Sequence, residues 1–232
     1  MNRKAAPRAR LSREGIVQAA IAFIDEHGAT SLSMRALGQR LGVEAMSLYR
    51  YVRGREDLLE GVVAQLLHEV ERSVDDPITD HWQGYLQTLA HEMREIAIEH
   101  PEAFPLVATR HPAAPWLRPP LRSLELVESF IANLTGYGFT DGQIAETYRA
   151  FSSFLLGNLL LESAVRGADT SPAEQPLDEG DATVPNADGR ESTGKQPNIN
   201  RLRPLLSEDR SREEFETSLE TLLDRLDVML SQ

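Results

Sequence analysis

Apolar residues recur along the chain at intervals of three and four, and no stretch alternates convincingly with period two. The pattern predicts helices throughout and an all-α fold. The first predicted helix opens at Ser12, a good N-cap type, and sets Ile16, Ala19, Ala20, Phe23 and Ile24 on one face before Gly28 stops it. A second, short helix follows Ser33, with Ala36, Leu37 and Leu41 inward, and breaks at Gly42. A third runs from roughly residue 44 to 51 around Leu48 as inward anchor, and Gly54 closes it. A longer helix then starts near Arg55 and carries Leu58, Leu59, Val62, Val63, Leu66 and Leu67. Asp75, Asp76 and Pro77 separate this head from the remainder.

The remainder is also helical in pattern. Trp82, Tyr85, Leu86, Leu89, Ala90, Met93, Ile96 and Ala97 form one apolar stripe, which His100-Pro101 ends, because a residue before proline disfavours the helical region. Prolines at 105, 112, 115, 119 and 120 allow only short helical pieces between residues 102 and 120. The pattern resumes over residues 121–134, and Thr140 caps a long helix carrying Ile144, Tyr148, Phe151, Phe154, Leu155, Leu159 and Leu160. Residues 166–200 lose nearly all large apolar side chains and read as a mobile loop, since they bury too little to offset ordering. A last helix over about residues 213–230 carries Phe215, Leu219, Leu222, Leu223, Leu226 and Met229. The expected organisation is an arm at 1–11, a head at 12–70 and a second domain at 78–232.

Charge changes this picture. The net charge of −12 hides an asymmetry: residues 1–55 hold ten Lys and Arg against four acids, a net +6, which leaves −18 on the rest. A basic head on an acidic body suits nucleic-acid binding at one end, because phosphate attraction is local over a screening length of about 10 Å. A solvated basic face is the plainer alternative. There is no cysteine, which excludes disulfides and thiolate metal sites. The most apolar stretch, residues 151–161, is too short to cross a membrane, and the chain reads as cytoplasmic with no membrane partner.

Two short helices joined at a glycine inside a basic three-helix head describe a helix-turn-helix, in which one helix enters the major groove and the preceding one braces it. The same shape also occurs in domains that never meet DNA. The residues narrow the choice. The run Ser31-Leu32-Ser33-Met34-Arg35-Ala36-Leu37-Gly38-Gln39-Arg40-Leu41-Gly42-Val43-Glu44, followed by Ala45-Met46-Ser47-Leu48-Tyr49-Arg50-Tyr51-Val52-Arg53-Gly54-Arg55, closely resembles the DNA-binding domain of the tetracycline-repressor family. The second domain is similar to the regulatory domain of the same family through Arg94, Glu99-His100-Pro101, Thr109-Arg110, Gly138-Phe139, Gly157-Asn158 and the terminal Phe215 to Leu223 pattern.

The resemblance implies that Ala45, Met46, Ser47 and Tyr49 face the groove and that Arg35 occupies the position of a guanine contact. Arginine suits that contact through its bidentate geometry, and Met46 suits thymine methyls. Tyr49, Tyr51, Arg53 and Arg55 fit phosphates, which set register without reading sequence, and Ser33 adds a phosphate bond from its cap. Tyr49 as partial core remains an open alternative. The cluster Arg3, Lys4, Arg8 and Arg10 is open to two readings, a DNA-binding arm or a solubilising tail.

For the body, the resemblance implies dimerisation and ligand sensing. The helices at 140–165 and 213–230 carry leucine on more than one face, which a four-helix bundle with a second copy would cover. An internal core is the alternative. A ligand pocket is expected among the helices carrying Trp82, Tyr85, Met93, Phe104, Thr109, Trp116, Phe130, Tyr148 and Phe151, although aromatic residues at helical spacing also read as ordinary core. Where tetracycline repressors place polar anchors for the drug and its magnesium, this chain has Leu106, Glu71 and Leu161, while keeping Thr109 and Arg110. An apolar or amphipathic organic effector is therefore expected in place of a tetracycline–magnesium complex, and no cofactor or metal.

The function expected is a homodimeric repressor that holds a palindromic double-stranded DNA operator and leaves it when the effector binds. The alternative within the family is an activator or dual regulator. Enzyme activity is not expected: there is no phosphate-cradling loop or nucleophile elbow, and His81 and His91 have the wrong spacing for one helical face. The −18 body argues against a DNA-packaging protein.

Overall fold

The computed structural model describes residues 11–75, 81–168 and 197–230, and among these it is helical with no strand. The described residues form nine α-helices, in order α1 (Arg13–His27), α2 (Met34–Leu41), α3 (Ala45–Leu48), α4 (Arg55–Asp75), α5 (Trp82–Glu99), α6 (Leu124–Gly136), α7 (Asp141–Val165), α8 (Pro197–Leu206) and α9 (Ser211–Leu230). Contacts divide the chain into two units, residues 1–170 with 222–232, and residues 171–221.

In the first unit, local chemistry sets the helix boundaries. Ser12 accepts from Gly15 N at 3.1 Å, and Ser33 accepts from Ala36 N at 3.1 Å. Thr140 and Gln143 close a reciprocal capping box on α7. The head core is Ile16, Ala20, Ile24, Leu37, Leu48 and Val52, closed from beneath by Leu58 and Val62 of α4, all with almost no exposure. Burying each of the larger aliphatic side chains among them stabilises by about 1.5–3 kcal/mol. The stripe predicted on α1 is rotated slightly: Val17 and Ile21 join the core, while Ala19 and Phe23 are half-buried.

α4 packs on α1 on one side and on α5 and α6 on the other, so it belongs to head and body at once. It runs to Asp75, past the expected boundary at residue 70. His100 Nδ1, at the end of α5, lies 2.8 Å from Asp25 Oδ2 on α1 and adds a second tie between them. Behind α4 the body core is built on Tyr85, Leu86, Leu89 and Met93 of α5, Phe130 and Leu134 of α6, and Phe151, Leu155 and Leu159 of α7. Between α5 and α7 the buried Arg94 guanidinium grips Glu162 with two bonds of 2.7 and 3.0 Å. On α7, Leu161 and Val165 remain exposed in the single chain, and on α9 so do Val228 and Met229.

The second unit holds α8 and the first part of α9, on which Phe215 and Leu219 are buried. α8 corrects the sequence reading, because residues 197–200 were expected to be loop. Pro197 at the first helical position forgoes no hydrogen bond, so a helix can begin there. Residues 169–196 of the predicted loop and 1–10 of the predicted arm lie outside the described residues.

Candidate nucleic-acid interface and effector cavity

The helix-turn-helix is built from three local devices. Ser33 starts α2 from an extended cap. Gly42 ends it with φ +67°, a left-handed conformation that costs glycine nothing. Val43 N then donates to Gly38 O at 2.9 Å, folding the turn back onto α2. α3 is pinned by Leu48, which has no exposure. The helix proper stops at Leu48, short of the expected residue 51, because Tyr51 N and Val52 N both return to Leu48 O and tighten the chain into a turn.

With Leu48 inward, the opposite side of α3 is presented to solvent. Met46 is 73% exposed and Tyr49 47% exposed, while Ala45 and Ser47 are half-buried. Tyr49 is therefore not core. Around α3 the side chains of Ser33, Arg35, Arg50, Tyr51 and Arg53 are exposed. Exposed thioether, hydroxyl, phenol and guanidinium side chains within residues 33–53 are of the types that contact base edges and phosphates.

Some of the basic residues are already engaged. Arg55 donates from Nε to Leu32 O and from Nη2 to Ala29 O, both at 3.2 Å, so it ties the α1–α2 turn to the start of α4. This tie was not legible as such; the sequence showed only a cation at the start of a helix. Arg40 is paired in a fork with Glu26 of α1. Arg13 makes a fork to Asp57 at 2.9 Å, and Arg53 N adds a bond of 2.7 Å. Together they hold the Asp57 carboxyl below its ordinary value, chiefly through the Arg13 hydrogen bonds.

In the body, α5, α6 and α7 border a small apolar pocket lined by Leu89, Met93, Leu121, Leu126, Val127, Phe130, Tyr148, Phe151, Ser152, Leu155 and Leu156. As it stands its free core admits only a water-sized guest. The Phe130 and Phe151 rings are stacked, 6.1 Å apart and 29° from parallel. Tyr148 and Ser152 supply the hydroxyls. The Tyr148 phenol donates to Pro119 O at 2.9 Å, and burial pushes its pKa up to about 12, against a smaller opposing effect of Ser152.

Of the nine residues expected around a pocket, the structure brings together four: Met93, Phe130, Tyr148 and Phe151. The other five lie elsewhere. Trp82 packs edge-on against Phe139 at 5.6 Å, and Tyr85 sits between Phe130 and Tyr137. Phe104 is fully buried away from the cavity, and Thr109 donates to Leu106 O at 2.7 Å to hold its own loop. Trp116 is 74% exposed. The aliphatic lining and Ser152 were missed, because a leucine facing a cavity carries no mark that a leucine facing a neighbour lacks. Among the described residues no cluster of three or more His, Asp or Glu has the geometry to hold a metal, and no helix is long and apolar enough to cross a membrane.

Comparison with known proteins finds two family models that match the chain. Residues 16–62 match the model of bacterial regulatory proteins of the tetR family, and residues 75–230 match the tetracyclin repressor-like C-terminal domain. An HTH-type transcriptional regulator of Saccharopolyspora erythraea is 30% identical over 73% of this chain and 68% of its own length. The transcriptional repressor DrrR1 of Streptomyces coeruleorubidus is 27% identical over 97% of this chain and 81% of its own length. The class D tetracycline repressor protein of Escherichia coli is 26% identical over 96% and 92%. Among solved structures, a possible TetR family transcriptional regulator from Streptomyces coelicolor A3(2) superposes with a TM-score of 0.70 at 27% identity, covering 94% of this chain and all of that one. The matched proteins are transcriptional regulators and not enzymes, and this chain belongs to the TetR family of DNA-binding transcriptional regulators.

Proposed function

We propose that the protein is a homodimeric repressor that holds a palindromic operator through two copies of the α2–α3 head and is released when an apolar or amphipathic organic effector enters the α5–α6–α7 cavity. One observation carries this reading: Leu48 is fully buried while Met46, two residues earlier, is 73% exposed, and Arg35, Tyr49 and Arg53 are exposed as well. A helix so anchored spends its exposed face on something outside the chain. The bases are assigned to Arg35, Ala45, Met46, Ser47 and Tyr49, and the phosphates to Ser33, Tyr51, Arg53 and Arg55, with Tyr49 at the border of the two sets.

Two copies are needed because a palindrome presents two half-sites. The exposed Leu161 and Val165 of α7 and Val228 and Met229 of α9 support a bundle with the same helices of a second copy. Repression in place of activation is supported by the company of DrrR1 and the tetracycline repressor proteins.

The stacked Phe130 and Phe151 favour a flat ring, and the hydroxyls of Tyr148 and Ser152 favour a hydrogen-bonding edge on it. Leu106 and the exposed Leu161 argue against a tetracycline–magnesium complex. Neighbours in fold have been crystallised with actinorhodin and with minocycline, and actinorhodin is the first probe to try here. A gel-shift assay with the DNA flanking the protein's own gene tests the proposal. Retardation at low salt is expected, with release by a ring compound that fails to release Phe151→Trp; absence of any retardation would overturn it.

A further inference from the structure

Between α1, α4 and α5 opens a groove of about 600 Å³, room enough for several side chains, which shares no residue with the α5–α6–α7 cavity. Its floor is apolar, with Ile21, Leu66, Val70 and Ile96 buried. Its rim is acidic: Asp25, Glu69, Glu92, Glu95 and Glu99 line it, and no lysine or arginine does. Two of these carboxylates are engaged, Asp25 by His100 and Glu69 by Arg72. Among the described residues no salt bridge reaches Glu92, Glu95 or Glu99. These three stand three and four residues apart on one face of α5, where like charges repel and weaken a helix. A solvated acidic face is the simpler reading of such a row. The concave shape and apolar floor suit instead an occupant that combines cations with small apolar groups.

The chain's own first ten residues have that composition. They carry Arg3, Lys4, Arg8 and Arg10 and no acid, with Ala5, Ala6, Pro7 and Ala9 between the cations. They also hold most of the basic excess of the head, because residues 11–55 keep six cations against four acids, a net of only +2. The reach is sufficient. The arm joins α1 at its cap, Ser12, and the groove is lined on α1 from Gln18 to Asp25. At 1.5 Å per residue that stretch lies about 9 to 20 Å along the helix from the cap. Ten residues extend to about 33 Å, so the arm spans the groove by folding back along the helix it precedes.

We propose that the basic arm, residues 1–10, docks in this groove when no DNA is bound, with its cations on Glu92, Glu95 and Glu99, and that duplex DNA must draw it out. A cation held by these carboxylates is withheld from phosphates, so the docked arm is an autoinhibitory contact. It weakens binding to duplex of any sequence by one common factor, the fraction of time the arm is free.

The chain has no cysteine, so Ala6→Cys places a single nitroxide label on the full-length protein. Paramagnetic broadening of the amides of residues 92–99 is expected. It should vanish on adding a random-sequence duplex, and also in the triple variant Glu92→Gln, Glu95→Gln, Glu99→Gln. Affinity for the same duplex at low salt gives a second readout. With the arm intact the triple variant should bind about tenfold tighter, as for an arm that is free about a tenth of the time. With Arg3, Lys4, Arg8 and Arg10 all changed to alanine, the same three substitutions should change affinity less than about twofold. That comparison separates release of the arm from the loss of three negative charges. Residues 92–99 left sharp, broadening that DNA does not move, or equal tightening in both backgrounds overturns the proposal. If the triple variant fails to fold, the labelled wild-type background and its response to DNA decide. Neither readout uses an operator or an effector, so failure here is distinct from failure of the repressor reading.

Discussion

Gly38 of α2 is in backbone contact with Ala45, the first residue of α3. A methyl group at position 38 would stand 3.2 Å from the Ala45 nitrogen and 3.0 Å from the Val43 carbonyl oxygen. The absent side chain lets the two helices approach closely enough for Leu48 to reach the head core, and it thereby sets the angle at which Met46 is offered.

Gly38→Ala should therefore destabilise, although alanine is ordinarily better than glycine in a helix by about 1 kcal/mol. The neighbours it meets are backbone and give way only by opening the turn. The expected outcome is a lower melting temperature and a larger loss of DNA binding than in Met46→Ala. A variant more stable than wild type with unchanged affinity would contradict the close-contact argument.

Arg35→Ala and Arg53→Ala should separate reading from holding. Both side chains are exposed, so melting should stay within about 0.5 kcal/mol of wild type. Arg35→Ala should cost roughly 1–3 kcal/mol on the operator and relax specificity at one base position. Arg53→Ala should weaken all sequences alike and reduce the salt-dependence slope by about one. Binding isotherms at several salt concentrations decide between these roles.

Breaking the Arg94–Glu162 pair should be worse than replacing it. With both side chains under a tenth exposed, Glu162→Leu takes the facing carboxylate from a buried guanidinium, at about 3–5 kcal/mol, whereas the double variant Arg94→Met with Glu162→Leu should lie near wild type. Chemical denaturation of the three proteins measures this. Equal stability of the single and double variants would show that the pair is not coupled.

Stability should fall at both ends of the pH scale, for different groups. The Asp57 carboxyl is held low by Arg13, so its contribution is complete above about pH 4 and fades as the pH drops through the lowered value. Tyr148 behaves in the opposite sense. Its phenol is pushed up to about 12, so the folded state keeps a proton that the unfolded state releases near 10, and stability is lost between those two values. Denaturation of wild type and Tyr148→Phe across pH 9–12 should show a shallower alkaline loss in the variant.

Leu161→Glu with Val165→Glu should dissociate the proposed dimer without unfolding the subunit, since both side chains are exposed in the single chain, Val165 by 90%. Sedimentation is expected to show a folded monomer with operator binding lost. A variant still dimeric at micromolar concentration would move the interface elsewhere.

How much was legible followed from how local each cause is. Ser12, Ser33 and Thr140 cap helices by bonding amides three residues away, and Gly42 turns the chain by its own conformation, so those boundaries could be read directly. α8 escaped because Pro204 argues locally against a helix and the preceding residues carry no apolar period. The proposed interface residues come from resemblance to a known family, whereas the engagement of Arg55 by Ala29 and Leu32 had no sign in the sequence, since those carbonyls arrive from another turn.

The amino-acid order alone determined most of the helices, the basic head on an acidic body, and the helix-turn-helix with Leu48 inward, because periodicity, capping and charge act within a few residues. Only the tertiary structure decided which apolar side chains surround empty space, why Phe151 and Leu155 line a cavity while Trp82 packs on Phe139, and how Arg122 meets Glu56 and Glu60. Those outcomes depend on where separate helices come to rest against one another, and no single helix carries that information.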